Sequence, residues 1–201
     1  EVPSRERPRI LSVDSLPDTL AASYMNPMMT LQGQQLMASM STMPVDQPAF
    51  LQYTSGSTRV PAGVQLTNRS ILTNVLQIFT AARLRTPLRL VSWLPLHHDM
   101  GIILALFVTI LGLPNEIMSP RDFIQQPKRW VDQLNRRDTD EGVSVYTVIP
   151  NFALELAARY GAPKEGETLD LSALDGIIIG SEPITEKALD SFLAAFGPHG
   201  L

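Results

Sequence analysis

The chain has 201 residues, of which 44% are hydrophobic and 18% are charged, so its length and apolar content suffice for one sizeable core. Its formal net charge of −4 and the absence of a dense Lys/Arg block argue against a nucleic-acid partner. Because it contains no cysteine, the chain forms no disulfide and offers no thiol chemistry, which is compatible with the cytoplasm.

Targeting signals are not predicted. The first residues, Glu-Val-Pro-Ser-Arg, have neither the basic segment nor the apolar segment of a signal peptide. The longest apolar run, residues 100–113, is interrupted by Gly101, Thr109 and Gly112 and is shorter than the roughly 20 residues that a bilayer requires. We therefore expect a soluble, cytoplasmic protein without a membrane span.

The first 48 residues show little periodicity. A short apolar run at 10–13 precedes a turn cluster at 14–18, which predicts one strand leaving into a loop. Residues 25–48 are rich in Met, Gln, Ser and Pro, and there we predict only one helical turn around 34–40. We interpret residues 1–48 as a connecting segment that continues an upstream part of the same domain.

From residue 49 onward, strand-like and helix-like segments alternate. Strands are predicted over residues 49–53, 88–94, 115–118, 142–149 and 174–180. Helices are predicted over residues 68–83, 100–111, 121–137 with a break at Pro127, 152–160 and 186–196. Thr67, Asn151 and Thr185 are the predicted N-caps, and Gly197 is the predicted stop of the last helix. The continuous Ile177-Ile178-Ile179 predicts a fully buried strand.

This alternation predicts an α/β fold with helices around a largely parallel sheet. In such folds ligands bind at the carboxyl ends of the strands. Three polar motifs of this sequence follow predicted strands, so we expect them to lie at one edge of the sheet.

The first motif follows the strand at 49–53 and consists of small hydroxyl residues and glycine. Its residues are Thr54, Ser55, Gly56, Ser57, Thr58 and Arg59, with Gly63 close behind. Inward-turned backbone N–H groups and hydroxyls suit a polyanion such as a triphosphate, and the predicted helix start at 68 favours anions further. A polar hairpin loop is the alternative. The spacing is not that of a P-loop, and Arg59 is either a phosphate contact or a solvent-exposed side chain.

The second motif is Trp-Leu-Pro-Leu-His-His-Asp-Met-Gly at residues 93–101. His97 and His98 point apart on an extended backbone, and no third ligand has metal-site spacing, so we predict no metal site here. For His98 the alternative is a structural hydrogen bond, and for Gly101 it is close helix packing.

The third motif, Gly180, Ser181, Glu182 and Pro183, follows the strand at 174–180, with a plain strand-to-helix turn as its alternative.

Together these motifs resemble the adenylate-forming (acyl-activating) superfamily. The string Tyr-Thr-Ser-Gly-Ser-Thr-Arg-x-Pro-x-Gly-Val is similar to its phosphate-binding signature and looks most like that of the fatty acyl-AMP ligases. Many acyl-CoA ligases carry lysine where Ala62 stands. The resemblance implies that the chain is a fragment of the large N-terminal domain, with residues 49–201 forming a central adenylation subdomain that is incomplete at its C-terminal end.

The resemblance also implies roles for individual residues. Thr54–Arg59 and Gly63 would bind phosphate, and Gly180, Ser181, Glu182 and Pro183 would pack on the adenine. His98 would be the catalytic residue beside the substrate carboxylate and the α-phosphate. The expected substrate contacts are His97, His98, Asp99, Gly101, Asn151 and Phe152. His97 departs from the aromatic residue usual in the family. The apolar face of residues 150–157 is a candidate acyl-pocket wall, with core packing as the alternative.

The implied reaction is attack of a fatty-acid carboxylate on the α-phosphate of ATP, with Mg²⁺, to give an acyl-adenylate and pyrophosphate. The acyl group would then pass to an acyl carrier protein or a polyketide synthase. An acyl-CoA ligase and a non-catalytic nucleotide- or acyl-binding relative are the alternatives. Because the metal-linked Glu, the ribose-binding Asp and the C-terminal catalytic Lys of the family would lie beyond residue 201, we expect the chain alone to be inactive.

Overall fold

The computed structural model describes residues 29–41, 44–53 and 61–201, and the chain divides into two compact units, Glu1–Gln47 and Pro48–Leu201. In the first unit, helix α1 (Leu31–Ser41) is much longer than the single turn predicted at 34–40. It begins after Thr30, whose Oγ1 accepts a hydrogen bond from Gly33 N at 3.0 Å. The strand predicted at 10–13 lies outside the described residues.

The second unit begins with an antiparallel hairpin of β1 (Pro48–Tyr53) and β2 (Gly63–Thr67). Tyr53 pairs with Gly63, so residues 54–62 connect the two strands at that end of the hairpin. Strand β2 is not predicted from the sequence, because only two apolar residues, Val64 and Leu66, alternate within its five positions. The predicted phosphate loop therefore joins two strands, and a strand separates it from the next helix.

A parallel four-stranded sheet forms the centre of this unit, as predicted. Its strands are β3 (Leu88–Ser92), β4 (Asn115–Ile117), β5 (Ser144–Pro150) and β6 (Leu174–Gly180). They lie in the order β4-β3-β5-β6, and every neighbouring pair is parallel. The prediction that Ile177-Ile178-Ile179 is fully buried is wrong. Because β6 is the last strand in this order, its residues are only partly covered, and Ile178 is 36% exposed.

Helices cover both faces of the sheet. They are α2 (Asn68–Ala81), α3 (Asp99–Leu111), α4 (Pro120–Gln125), α5 (Lys128–Leu134), α6 (Asn151–Tyr160) and α7 (Glu186–Phe196). The predicted helix at 121–137 is interrupted at Pro127, as expected, but ends at Leu134. Short 3₁₀ turns follow at Asp138–Asp140 and Gly197–His199.

Two of the three predicted N-caps are confirmed. Thr67 Oγ1 accepts from Ser70 N and Thr185 Oγ1 accepts from Ala188 N, so both threonines satisfy a free N–H at a helix start. The third prediction is wrong. Asn151 is the first residue of α6, and its Oδ1 instead accepts a hydrogen bond from Thr185 N at 3.0 Å. This long-range bond ties the start of α6 to the start of α7. Helix α7 ends at Phe196, but the chain continues at Gly197 in a 3₁₀ turn.

Aromatic rings dominate the core on the face covered by α4 to α7. Trp93 stacks on Phe123 with ring centres 4.0 Å apart, and Phe123 meets Trp130 edge-on at 5.8 Å. Thr147 of β5 is buried beneath them, where its hydroxyl accepts from Trp130 Nε1 and donates to Val91 O. Because this polar residue is satisfied, it can lie inside an apolar core.

A buried charge network lies near the amino end of β3. The guanidinium of Arg89, a residue only 6% exposed, binds both carboxylate oxygens of Asp140 at 3.0 and 2.8 Å and Glu116 Oε1 at 3.2 Å. Arg137 binds the same Glu116. Hydrogen bonds from Arg89 are the main cause that lowers the pKa of the Asp140 carboxyl from its usual value. This network holds β3, β4 and the turn after α5 together.

Candidate active site

The carboxyl ends of β3, β5 and β6 meet at one edge of the sheet, as the parallel order requires. A cavity of about 340 Å³ lies there, and we call it the strand-end cavity. Its walls include Trp93, Pro95, His98, Phe152, Ser181 and Glu182. The structure therefore brings together the second motif, the third motif and the start of α6, which are far apart in the sequence.

The third motif is fastened to α6. Glu182 Oε1 accepts a hydrogen bond from Phe152 N at 2.6 Å, and a carboxylate at this position also suits the positive end of the helix. Ser181 takes a left-handed backbone conformation with φ of 69°, which is uncommon for a residue with a side chain. Its hydroxyl contacts the sulfur of Met100. Pro183 follows on the exposed connection to α7.

The second motif starts α3. His98 is its N-cap, and His98 Nδ1 lies 3.3 Å from Met100 N and 2.7 Å from Asp99 Oδ1. The shorter contact requires a proton on Nδ1, since two acceptors would repel one another at that distance. Met100 N then donates mainly to Asp99 Oδ1, at 2.8 Å. With Nδ1 engaged locally, Nε2 is the ring nitrogen that can contact a bound substrate.

Gly101 allows α3 to pack directly on the turn that follows β3. A Cβ atom at this position would lie only 2.1 Å from the carbonyl oxygen of Pro95, a separation that backbone atoms cannot tolerate. The same oxygen accepts a hydrogen bond from His98 N at 3.0 Å. Gly101 therefore has a packing role that positions His98. Its predicted contact with an acyl chain stays a prediction, as does the substrate contact of Asn151.

The hairpin lies beside the second motif. A second cavity, of about 390 Å³, is lined by Gln52, Tyr53, Val64 and Leu66 from the hairpin and by His97, His98, Asp99 and Ile103. We call it the hairpin cavity. Tyr53, which lines this cavity, pairs with Gly63, and these two strand residues flank the connection 54–62 in the sequence. The predicted phosphate contacts Thr54–Arg59 lie outside the described residues.

A third cavity, the apolar cavity, occupies about 270 Å³ between the sheet and helices α2 and α3. Its lining is almost entirely apolar: Ile78, Leu84, Leu90, Met100, Ile103, Leu104, Phe107, Tyr146, Val148, Ile178, Gly180 and Ser181. Ser181 borders both this cavity and the strand-end cavity. By contrast, Ala153, Leu154 and Ala157 of α6 are buried in the core, as the packing alternative for residues 150–157 proposed.

Two further observations concern metal sites and membrane-spanning helices in the described part of the chain. Over residues 29–41, 44–53 and 61–201, no three His, Asp or Glu side chains lie close enough together to bind a metal ion. Among the helices described here, none is both long enough and apolar enough to cross a membrane.

The family described as AMP-binding enzyme matches residues 5–200 of the chain. The chain belongs to that family. It is 40% identical to the long-chain-fatty-acid–AMP ligase FadD32 of Mycolicibacterium smegmatis, over 98% of this chain and 29% of FadD32. It is also 40% identical to the putative fatty-acid–CoA ligase fadD25 of Mycobacterium tuberculosis, over 76% of this chain and 26% of that protein.

A solved structure agrees with these sequence relatives. The chain is similar to the crystal structure of the fatty acyl-adenylate ligase from L. pneumophila in complex with acyl adenylate and pyrophosphate, with 34% identity and a TM-score of 0.68. The match covers 83% of this chain and 29% of that one. The resemblance to the fatty acyl-AMP ligases is thereby confirmed, and the chain spans less than a third of the length of these relatives.

Several residues of the site were missed by sequence reasoning. Pro120 and Ile124 line the strand-end cavity although they lie on α4, which carries no motif. Tyr146 lines the apolar cavity, yet in the sequence it looks like an ordinary strand residue. Trp93 Nε1 is buried and has no hydrogen-bond acceptor within the described part of the chain. No local pattern could have identified Pro120, Ile124 or Tyr146, because the place of each in a cavity depends on the packing of distant elements.

Proposed function

We propose that this chain is the central part of the large domain of a fatty acyl-AMP ligase. Such an enzyme joins a fatty-acid carboxylate to the AMP part of ATP and releases pyrophosphate. One observation carries the proposal: His98 borders both the strand-end cavity and the hairpin cavity. A single imidazole thus lies between the motif expected to flank adenine and the hairpin expected to hold the phosphates, which is where the α-phosphate and the carboxylate would meet.

The strand-end cavity suits a flat purine ring. Phe152, Pro150 and Pro95 give it apolar walls, and Trp93 and Leu94 add further apolar surface. The carboxylate of Glu182 is engaged by Phe152 N, so it supports the wall of the cavity rather than facing the base with an unpaired charge. The phosphates would then extend toward the hairpin, where the hydroxyls and N–H groups of residues 54–58 would bind them.

In the proposed reaction a carboxylate oxygen attacks the α-phosphorus in line with the leaving pyrophosphate. One P–O bond forms and one breaks, and no proton is transferred. The contribution of the protein is to position the two anions and reduce their repulsion. In its imidazolium form, His98 would donate from Nε2 to an oxygen of either anion. Mg²⁺ is expected to accompany ATP, and the described residues supply no metal site for it.

The apolar cavity is the proposed site for the alkyl chain. Its walls are hydrocarbon, and it reaches the strand-end cavity at Ser181. An engineered apolar cavity of about 150 Å³ suffices to bind benzene, so a cavity of this size is large enough for a longer hydrocarbon. A fatty acid placed here would bury its chain while its carboxylate stayed near His98.

The acceptor is proposed to be an acyl carrier protein or a polyketide synthase, in line with the similarity to FadD32, which is named an AMP ligase. The second candidate is an acyl-CoA ligase, with CoA as the acceptor, and it is supported by the similarity to fadD25, which is named a putative CoA ligase. Incubating the full-length ligase with ATP and a labelled fatty acid, with and without CoA, separates the two. Acyl-adenylate that persists in the presence of CoA supports the first candidate, and conversion to acyl-CoA supports the second.

Replacement of His98 tests the reaction itself. We expect His98→Ala in the full-length ligase to lower acyl-adenylate formation strongly while ATP affinity stays nearly unchanged. His199→Ala is the matched control, since it removes an imidazole that lines neither the strand-end cavity nor the hairpin cavity. If the folded wild-type ligase forms no adenylate with any fatty acid, the non-catalytic alternative holds. If His98→Ala retains full activity, the assigned role of His98 is wrong.

A further inference from the structure

The apolar cavity has two distinct ends. Pairing of β5 with β6 places Tyr146 opposite Gly176, Val148 opposite Ile178, and Pro150 opposite Gly180. Gly180 and Ser181 therefore mark the end beside the strand-end cavity, and Tyr146 marks the other end. The four residue-to-residue steps from Tyr146 to Pro150 correspond to a depth of about 13 Å at about 3.3 Å per step. The cavity thus runs along the sheet from the proposed carboxylate site to the ring of Tyr146.

Two contacts hold this ring in place. The hydroxyl of Tyr146 accepts a hydrogen bond from Arg85 N at 3.0 Å, which ties the ring to the connection between α2 and β3. On its other side the ring lies against Gly176, where an added Cβ would come within 3.0 Å of Cδ1 and 3.1 Å of Cε1. Tyr146 is only 5% exposed. The ring therefore fits a space that the missing side chain of Gly176 leaves open, and moving it would break a partly buried hydrogen bond.

We infer that Tyr146 is the floor of the apolar cavity and sets the longest fatty acid that the ligase activates efficiently. This inference rests on the proposed function. Other lining residues, such as Phe107 and Ile103 on α3, form the side walls. Tyr146 combines a large ring, a position at the end opposite Gly180 and two contacts that fix it. A chain that reaches this ring cannot extend further without displacing it.

The longest fatty acid that the cavity accepts should therefore change in a predictable direction when the ring of Tyr146 is removed or displaced. Within a hydrophobic pocket, fitting or rejecting one methylene typically changes specificity by about tenfold or more. Removing the ring with Tyr146→Ala would deepen the cavity and admit longer chains. Gly176→Ala would do the opposite, because the new methyl group would push the ring toward the cavity. Tyr146→Phe loses the bond to Arg85 but keeps the ring and its packing on Gly176, so it tests whether the size of the ring sets the limit.

The test measures kcat/KM for acyl-adenylate formation by the full-length ligase with octanoate, dodecanoate, palmitate, stearate and docosanoate. We expect the wild type to show an upper length limit. The measured quantity is a ratio: kcat/KM for the shortest acid beyond the wild-type limit divided by kcat/KM for the best wild-type acid. Tyr146→Ala should raise this ratio at least about tenfold. Tyr146→Phe should keep the wild-type limit, and Gly176→Ala should move it to shorter acids. Circular dichroism confirms that each variant is folded.

The outcomes separate the inference from the function on which it rests. Adenylate formation with an unchanged length profile in folded Tyr146→Ala overturns the inference and leaves the proposed function intact. A wild type that forms no adenylate with any of the acids overturns both. If Tyr146→Ala does not fold, Gly176→Ala decides: a shift to shorter acids supports the inference, and an unshifted profile overturns it.

Discussion

Glu182 accepts a hydrogen bond from the backbone N–H of Phe152 across 2.6 Å, although the two residues lie thirty positions apart in the sequence. This bond closes one wall of the strand-end cavity, since both residues line it. It also satisfies an N–H at the start of α6 that has no partner within the helix. The same carboxylate therefore stabilises a helix and shapes the proposed nucleotide site.

Replacing Glu182 should affect stability through this bond. We expect Glu182→Ala to lower the free energy of unfolding by about 1 kcal/mol, as for other lost helix caps. Glu155→Ala is the matched control, because Glu155 is an exposed residue in the middle of α6, where substitutions usually change stability by less than about 0.5 kcal/mol. Urea unfolding followed by circular dichroism measures both. Equal effects of the two variants would contradict the capping role.

Gly101 is predicted to be intolerant of any side chain. A methyl group there would overlap the carbonyl oxygen of Pro95, so Gly101→Ala must shift α3 and with it His98. We expect a loss of about 3 kcal/mol or more in the free energy of unfolding. The control is Gly197→Ala, where φ is −54° and no atom lies within 4 Å of the added Cβ, so a gain of about 0.5 kcal/mol is expected. Thermal and urea unfolding would show the difference.

The buried pair of Arg89 and Asp140 should be sensitive to the removal of one partner. Asp140→Ala leaves the guanidinium of Arg89 buried beside a single remaining carboxylate, that of Glu116. Loss of one member of such a pair costs about 3–5 kcal/mol. Asp132→Ala, at an exposed carboxylate that binds Lys128, is the control and should cost less than about 1 kcal/mol. Comparable losses in the two variants would show that the buried network contributes no more than a surface pair.

The same pair predicts a pH dependence of stability. Hydrogen bonds from Arg89 lower the pKa of Asp140 below the value of 3.8 expected for a free Asp, so the folded state binds this proton less readily than the unfolded state. The stabilisation is fully present above about pH 4. It is lost as the pH falls below that value and through the lowered pKa of the folded state. Urea midpoints measured from pH 7 down to acid should fall less steeply in Asp140→Asn than in the wild type.

The predicted phosphate loop can be tested in the full-length ligase. If the hydroxyls of Ser57 and Thr58 bind phosphate, each charge-assisted hydrogen bond contributes about 1.5–3 kcal/mol. The double variant Ser57→Ala/Thr58→Ala should then weaken ATP affinity at least about tenfold, since 1.4 kcal/mol corresponds to a factor of ten. The fold should be unaffected. Unchanged ATP affinity in the folded variant would favour the alternative of a polar hairpin loop.

Much of this protein can be predicted from its sequence by itself. The alternation of strands and helices, the caps Thr67 and Thr185 and the break at Pro127 depend on residues close together in the chain, and all were predicted. The three motifs pointed to the AMP-binding enzyme family for a similar reason. Each consists of consecutive residues whose order is distinctive wherever the chain happens to fold.

Strand burial, the partner of Asn151 and the lining of the cavities depend on the tertiary structure. Burial of Ile177-Ile178-Ile179 depends on strand order, and β6 is the last of the described strands in the sheet. The side chain of Asn151 could cap its own helix, but because the start of α7 lies close by, its Oδ1 accepts a hydrogen bond from Thr185 N instead. Tyr146 lines the apolar cavity, where a glycine lies beside it on the neighbouring strand and the backbone N–H of Arg85 reaches its hydroxyl. Such contacts join residues far apart in the chain, and local periodicity carries no information about which distant residues meet.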